Sequence, residues 1–439
     1  MLVALLIVAA AAVQDIPDLG TRKAGTDWPA FLGPTGDGKS SEKGLRWPAE
    51  GPRKVWQRDL GESYGICSVY RGRVYQFDRA GNKAVLLCLN SETGKELWKF
   101  EYESRYDDMY GYEPGPRCSP VLDGDRVYIY GVEGLLHCLG AADGKEMWKK
   151  NTVQEFGVVQ NFFGVGSTPV VEGDLLIALV GGSPPGSPGI QTGEVKGNGS
   201  GIVAFDKRTG AVKYKITDEL ASYSGPALAT IGDRRWCFVF ARGGLVAFDP
   251  ATGKVDFQYP WRARILESVN ASNPVVSGDL VMISECYGVG SSVLRVKPGG
   301  YEVVWLDGRK RDRSMATHWM TPIHLDGYVY GSSGRHTAEA ELRCVELATG
   351  KVQWTVPRLT RASLLYVDGH FICLGEDGAL RLIKADPAKY EEVAKVVLKS
   401  PEGEPLLKYP AWAAPVLSHG LLYVRGKDKL VCLELIPEK

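Results

Sequence analysis

One turn recurs along this chain and limits what it can fold into. Thr93-Gly94-Lys95-Glu96-Leu97-Trp98, Asp143-Gly144-Lys145-Glu146-Met147-Trp148, Thr252-Gly253-Lys254-Val255-Asp256-Phe257 and Thr349-Gly350-Lys351-Val352-Gln353-Trp354 are its clear copies, and Thr209-Gly210 leads to Tyr214 in the same way. A second motif precedes it, a Pro-Val pair with a glycine turn and then an apolar strand. Its copies are Pro120-Val121 with Gly124, Pro169-Val170 with Gly173, Pro274-Val275 with Gly278, Pro322-Ile323 with Gly327, and Pro415-Val416 with Gly420. Looser copies at Val69-Tyr70, Pro226-Ala227 and Leu364-Leu365 make eight. A period of about 42 to 57 residues holding four short apolar or alternating runs has the size and content of one four-stranded propeller blade. Helical periodicity is almost absent, and Gly and Asp in the turns tolerate the positive φ of tight hairpins. The expected fold is therefore all-β: an eight-bladed β-propeller of four-stranded antiparallel blades over residues 51–439, although a length of 439 residues alone would suggest two or three domains.

The last repeat lacks an outer strand, because Leu430 to Leu435 is followed by only four residues. The segment Gly51-Pro52-Arg53-Lys54-Val55-Trp56 carries the same Gly-to-aromatic pattern with an unpartnered Trp56. The N-terminal strand is thus expected to complete the final blade and remove its free edge. Trp56, Trp98, Trp148, Trp305 and Trp354 are expected on outer strands, packed between blades, where each buries on the order of 200 Å². Residues 14–50 form an N-terminal extension ahead of the ring.

The turn Thr-Gly-Lys-x-x-Trp, with Ala-Phe-Asp or Cys-Leu just before it, resembles the tryptophan-docking repeat of the pyrroloquinoline-quinone (PQQ) type propellers over about residues 52–436. Within that superfamily the chain is similar in size to the family of the Bam complex's outer-membrane assembly lipoprotein. The opening Asp27-Trp28-Pro29-Ala30-Phe31-x-Gly33-Pro34 resembles that of exported PQQ-like propellers of planctomycete-type bacteria. The resemblance implies the fold. It leaves two functions open, since the same ring hosts dehydrogenases and non-catalytic scaffolds. For a dehydrogenase it implies bound PQQ with Ca²⁺, a basic Asp and two adjacent cysteines against the cofactor; this chain has no adjacent cysteines. For the assembly family it implies a lipidated Cys after the signal peptide, whereas the first cysteine here is Cys67.

Residues 1–13 read as a signal peptide, an apolar run ending in small residues that is too short to span a bilayer. This implies a periplasmic or secreted protein. Nine cysteines in such a protein raise the question of disulfides, but Cys88, Cys138, Cys344 and Cys432 share one repeat position and Cys67 and Cys118 another. Equivalents a blade apart are too distant to bond, so small buried hydrophobes are expected. Lys plus Arg equals Asp plus Glu at 52 each, which removes the net field that would draw a nucleic acid.

Catalytic signatures are absent from the sequence: no HxxxH, no Gly-x-Ser-x-Gly elbow, no metal-ligand spacing, and so no catalytic or metal residue is assigned. Polar and aromatic residues instead gather in the loops that enter the innermost strands. The candidates for ligand or partner binding are Tyr110, Tyr112, Arg117, Asn161, Tyr223, Arg264, Asn270, His318, Trp319, Arg361 and Trp412. Converging at one face they would form a cup able to stack on and hydrogen-bond a ligand or peptide. The sequence thus points to an exported, monomeric, cofactor-free scaffold that binds a protein or small molecule and acts in envelope protein assembly. A PQQ-dependent dehydrogenase is the alternative.

Overall fold

The computed structural model describes residues 15–159, 162–190, 193–308 and 312–438, so the segment read as a signal peptide lies outside it. Eight antiparallel sheets follow one another around a ring. The second blade is typical, with strands Val121–Asp123, Arg126–Tyr130, Leu135–Gly140 and Glu146–Asn151 running from the channel outward. The eighth is completed from the other end of the chain. Arg53–Asp59 pairs antiparallel with Lys429–Glu434, placing Trp56 opposite Cys432.

The repeat residues hold neighbouring blades together through one row of side chains. In the first blade Tyr75, Cys88 and Trp98 stand side by side on the second, third and fourth strands. Tyr128, Cys138 and Trp148 do the same in the second blade, and Tyr423, Cys432 and Trp56 in the eighth. The small thiol leaves room for two large rings, and all nine cysteines are free. Each ring then reaches the next blade. The Trp56 indole and the Tyr423 hydroxyl both donate to the carbonyl of Ser91, at 2.9 and 3.0 Å. Trp148 and Tyr128 both donate to that of Lys207, at 3.2 and 2.9 Å.

The turn glycine is where the indole lands. Gly144 has φ +72°, and a Cβ there would meet the Trp98 ring at 2.6 Å; Gly94 stands in the same relation to Trp56 and Gly210 to Trp148. Trp305 and Trp354 donate to Leu347 and Asp386 in the following blades, while the Trp98 indole nitrogen has no acceptor among the described residues. In the seventh blade Ala394 occupies the aromatic position, opposite Leu382. Among the described residues that blade alone gains a fifth strand, Lys39–Ser40, which runs parallel to Tyr366–Val367.

The fifth strand belongs to the N-terminal extension, which straps across the channel. Ile16 joins the buried apolar cluster that Tyr75, Leu122 and Val127 form between the first two blades. Trp28, 1% exposed, exchanges two backbone hydrogen bonds with Val69, and Leu122 donates to Pro29. After the crossing, Gly38 accepts from Tyr366 and Glu42 accepts from the amides of His419 and Gly420. Arg22 ties the strap to the eighth blade through the carbonyls of His419 and Ile436 and the Glu434 carboxylate. Such a density of apolar and paired residues is unlike a disordered tail.

Two predictions follow from these contacts. Trp56→Ala removes both the closing ring and its hydrogen bond, and should cost about 3 to 5 kcal/mol in denaturant unfolding. An unchanged midpoint would mean that the last blade closes by other contacts. The second concerns the strap. His419 lies 3.2 Å from Asp27, and this hydrogen bond, aided by the charges of Asp27 and Glu42 and the Ala24 carbonyl, raises the imidazole above its ordinary value against the effect of burial. A raised folded pKa gives stability that is fully present below about pH 6.5 and is lost as pH climbs through the folded value. His419→Gln should therefore lower the melting temperature more at about pH 5.5 than at about pH 9.

Candidate functional site

Strands alternate in direction, so two sets of loops open on the same face of the ring: those entering each inner strand and those joining the second strand to the third. Together they surround a cavity of about 300 Å³ at the channel mouth. Tyr110, Tyr112, Arg117, Tyr223, His318, Trp319, Arg361 and Trp412 all line it. Phe31 and Leu32 of the strap line it too.

The aromatic residues form a continuous belt. Tyr287 packs on His318 at 5.7 Å, His318 on Trp319 at 4.8 Å, and Trp319 on Trp412 at 4.7 Å. Trp412 in turn meets Tyr64 at 4.7 Å and Tyr112 at 5.9 Å, and Phe163 bridges Tyr112 to Tyr223. Guanidinium groups cover several of these rings. Arg361 lies over Trp319 and Trp412 at 4.6 and 5.2 Å, and Arg117 over Tyr64 at 5.3 Å.

Buried carboxylates fix these groups in place. Glu376, 1% exposed, accepts from the Arg361 guanidinium at 2.6 Å and from the Trp412 indole at 2.9 Å. Burial would raise its pKa, but the hydrogen bonds from Arg361 and Trp412 outweigh it and hold the carboxyl below its ordinary value. Glu285 accepts from the amides of Tyr287, Gly288, Val289 and Gly290, and so shapes the loop that presents Tyr287. Its own pKa is raised by burial, against those four bonds. Arg117 pairs with Asp108 at 2.8 Å, and the Tyr64 hydroxyl, pushed up to about 12 mainly by burial, accepts from the Glu113 amide. Burial, reinforced by Arg361 and Arg335, lowers His318 to about 3, so it is neutral at physiological pH.

Other sequence candidates stand elsewhere. Asn270 is fully buried, donating to the carbonyls of Ala241 and Trp261, and so braces a loop rather than facing the cup. Arg264 is exposed on that same loop, off the cavity lining. Asn161 lies outside the described residues. Sequence reasoning missed Tyr64, Tyr287, Arg335, His336, Glu267, Phe31 and Leu32, all of which line the cavity. Tyr287 and Arg335 follow the second strands Leu280–Glu285 and Tyr328–Ser333. Strand alternation alone would have put those connections on the cup's face.

The profile of the PQQ-repeat family described as "Outer membrane protein assembly factor BamB" matches residues 82–356, more than half of the chain. The chain belongs to this family. No curated protein sequence matches it. Among solved structures, BamB from Moraxella catarrhalis aligns with a TM-score of 0.58 at 13% identity, covering 88% of this chain and 98% of that one. Quinohemoprotein alcohol dehydrogenase from Comamonas testosteroni aligns at 0.64 with 14% identity, covering 94% and 82%. The computationally designed Ika8 protein aligns at 0.53 with 10% identity, covering 88% and 100%. At these identities the PQQ-repeat family shares its ring with these structures, and the likeness speaks to fold alone.

A contrast in stability tests the roles of the buried carboxylates. Glu376→Ala leaves Arg361 buried without its partner and should cost about 3 to 5 kcal/mol in urea unfolding. Arg335→Gln, at a partly exposed position that forms no ion pair among the described residues, should stay within about 0.5 kcal/mol of wild type. Equal costs would show that the Glu376 pair does not hold the cup.

Proposed function

We propose that this protein is an exported, non-catalytic propeller scaffold that captures a partner at its inner-strand loop face, in envelope protein assembly. The observation that carries the reading is the aromatic cup itself, a concave, largely apolar site whose polar groups are mostly engaged in holding its own walls. Groups spent on one another are suited to recognition and leave little for proton or group transfer. Membership of a family described as an assembly factor supports the same reading. No helix among the described residues is long and apolar enough to cross a membrane, and the periplasmic or secreted location rests on the apolar N-terminal run.

A dehydrogenase would need the lining to accommodate PQQ with Ca²⁺, and these residues do not fit that pair. Calcium takes six to eight oxygen ligands, with carboxylates prominent among them. Among the described residues Glu267 is the one carboxylate on the lining, and no three His, Cys, Asp or Glu gather as a metal's ligands. The chain also lacks the adjacent cysteines that the enzymes of this fold place against the cofactor.

The test is capture from a native envelope extract. Wild-type protein should retain a partner, while the combined change of Tyr112, Leu266 and Tyr409 to Ser should lose it with little effect on melting temperature, since exposed positions contribute within about 0.5 kcal/mol each. Purified protein that retains added PQQ and Ca²⁺ and reduces a dye with alcohols or sugars would overturn the scaffold reading.

A further inference from the structure

One wall of the cup carries an excess of basic groups. Arg335 lies over the Tyr287 ring at 4.6 Å, and no carboxylate among the described residues forms an ion pair with it. Beside it on the lining are His318, His336 and Arg361. Of these, Arg361 is neutralised by Glu376 at 2.6 Å. His318 is held neutral at physiological pH. The wall is left with one uncompensated guanidinium facing an aromatic belt, while Glu267 is exposed on the loop before the fifth inner strand.

Aromatic cups often take a quaternary ammonium or another cation. This one is unsuited to that, because Arg361 and Arg117 already cover the faces of Trp319, Trp412 and Tyr64, and a further cation would meet Arg335. An anion beside an apolar group meets no such conflict. The rim adds a second constraint. Met109, Tyr110 and Tyr112 on one loop, Ile265 and Leu266 on another, and Tyr409 on a third are exposed large apolar residues, with Met109 at 60% and Tyr409 at 55%. Single exposed apolar side chains need no explanation, but several on the loops of one face mark an interaction surface. A small molecule filling about 300 Å³, at the low end for ligand pockets, would leave that rim uncovered. A protein segment would cover it.

We propose that the cup seats an apolar or aromatic side chain of an extended protein segment, and that an acidic residue next to this anchor pairs with Arg335 while the flanking residues cover the rim. This names the partner chemistry of the scaffold reading and rests on it. Interfaces of this kind draw most of their affinity from one buried anchor, and the charge pair sets register and salt dependence.

The experiment uses the full chain, immobilised, and a phage-displayed library of random dodecapeptides. Panning on wild type should enrich Asp or Glu within two residues of Trp, Phe, Tyr or Leu. A synthetic peptide of the enriched sequence should bind more weakly as salt rises. Arg335→Glu should weaken it by about tenfold or more, Arg335→Gln by less, and Lys395→Glu, on the exposed outer strand of the seventh blade, should leave it unchanged. Enrichment of basic or purely apolar sequences, or equal binding by wild type and Arg335→Glu, would overturn the proposal. Panning that enriches nothing on a protein that still captures an envelope partner sinks the pairing alone; failure of both sinks the scaffold reading with it.

Discussion

At the seams that follow the second and eighth blades, neighbouring blades meet through a row of three residues, Tyr, Cys and Trp, whose two large side chains donate to a single carbonyl in the next blade. With Tyr423, Cys432 and Trp56 on Ser91, one contact buries two rings and satisfies two polar groups at once. Burying a large ring is worth on the order of 2 to 3 kcal/mol, and every blade that carries an aromatic residue at this position repeats that gain. The contact also explains residue types that otherwise look incidental. Glycine stands in the turn because an indole covers it, and cysteine stands mid-blade because a larger side chain would displace one of its two ring neighbours. Burial pushes the Cys88 thiol up to about 12, which keeps such positions inert.

Because the seams carry the stability, the loops on the open face are free to serve another purpose. The cup is built from side chains on the loops of different blades, held by carboxylates that end or follow second strands, Glu285 and Glu376. Neither acid lines the cavity. They fix rings and guanidinium groups in set positions, which lowers the ordering cost of binding. The strap completes the arrangement from the other end. Phe31 and Leu32 line the cavity, so the extension contributes to the cup as well as supplying the seventh blade's extra strand.

Part of this site was legible in the sequence because propeller topology assigns faces to loops. Once the inner strands are identified from their Pro-Val motifs, the loops entering them must share one end of the ring, and Tyr112, His318, Trp319 and Trp412 come together for that reason. Asn270 shows the limit of the argument. Loop membership fixes the end of the ring but not the direction of a side chain, and Asn270 turns inward because the carbonyls of Ala241 and Trp261 need a donor. Arg335 and Tyr287 escaped because they follow second strands, where no motif marks the turn.

The amino-acid pattern by itself determined the repeat, the number of blades and the closure of the last one by the Trp56 strand. These depend on local periodicity and on turn chemistry, which act over a few residues and are read in order along the chain. Tertiary structure alone decided the path of residues 16–50 across the channel and the pairing that leaves Arg335 uncompensated while neutralising Arg361. Those outcomes rest on contacts between segments hundreds of residues apart, such as Glu42 with His419 and Gly420, and no local preference encodes which distant groups will meet.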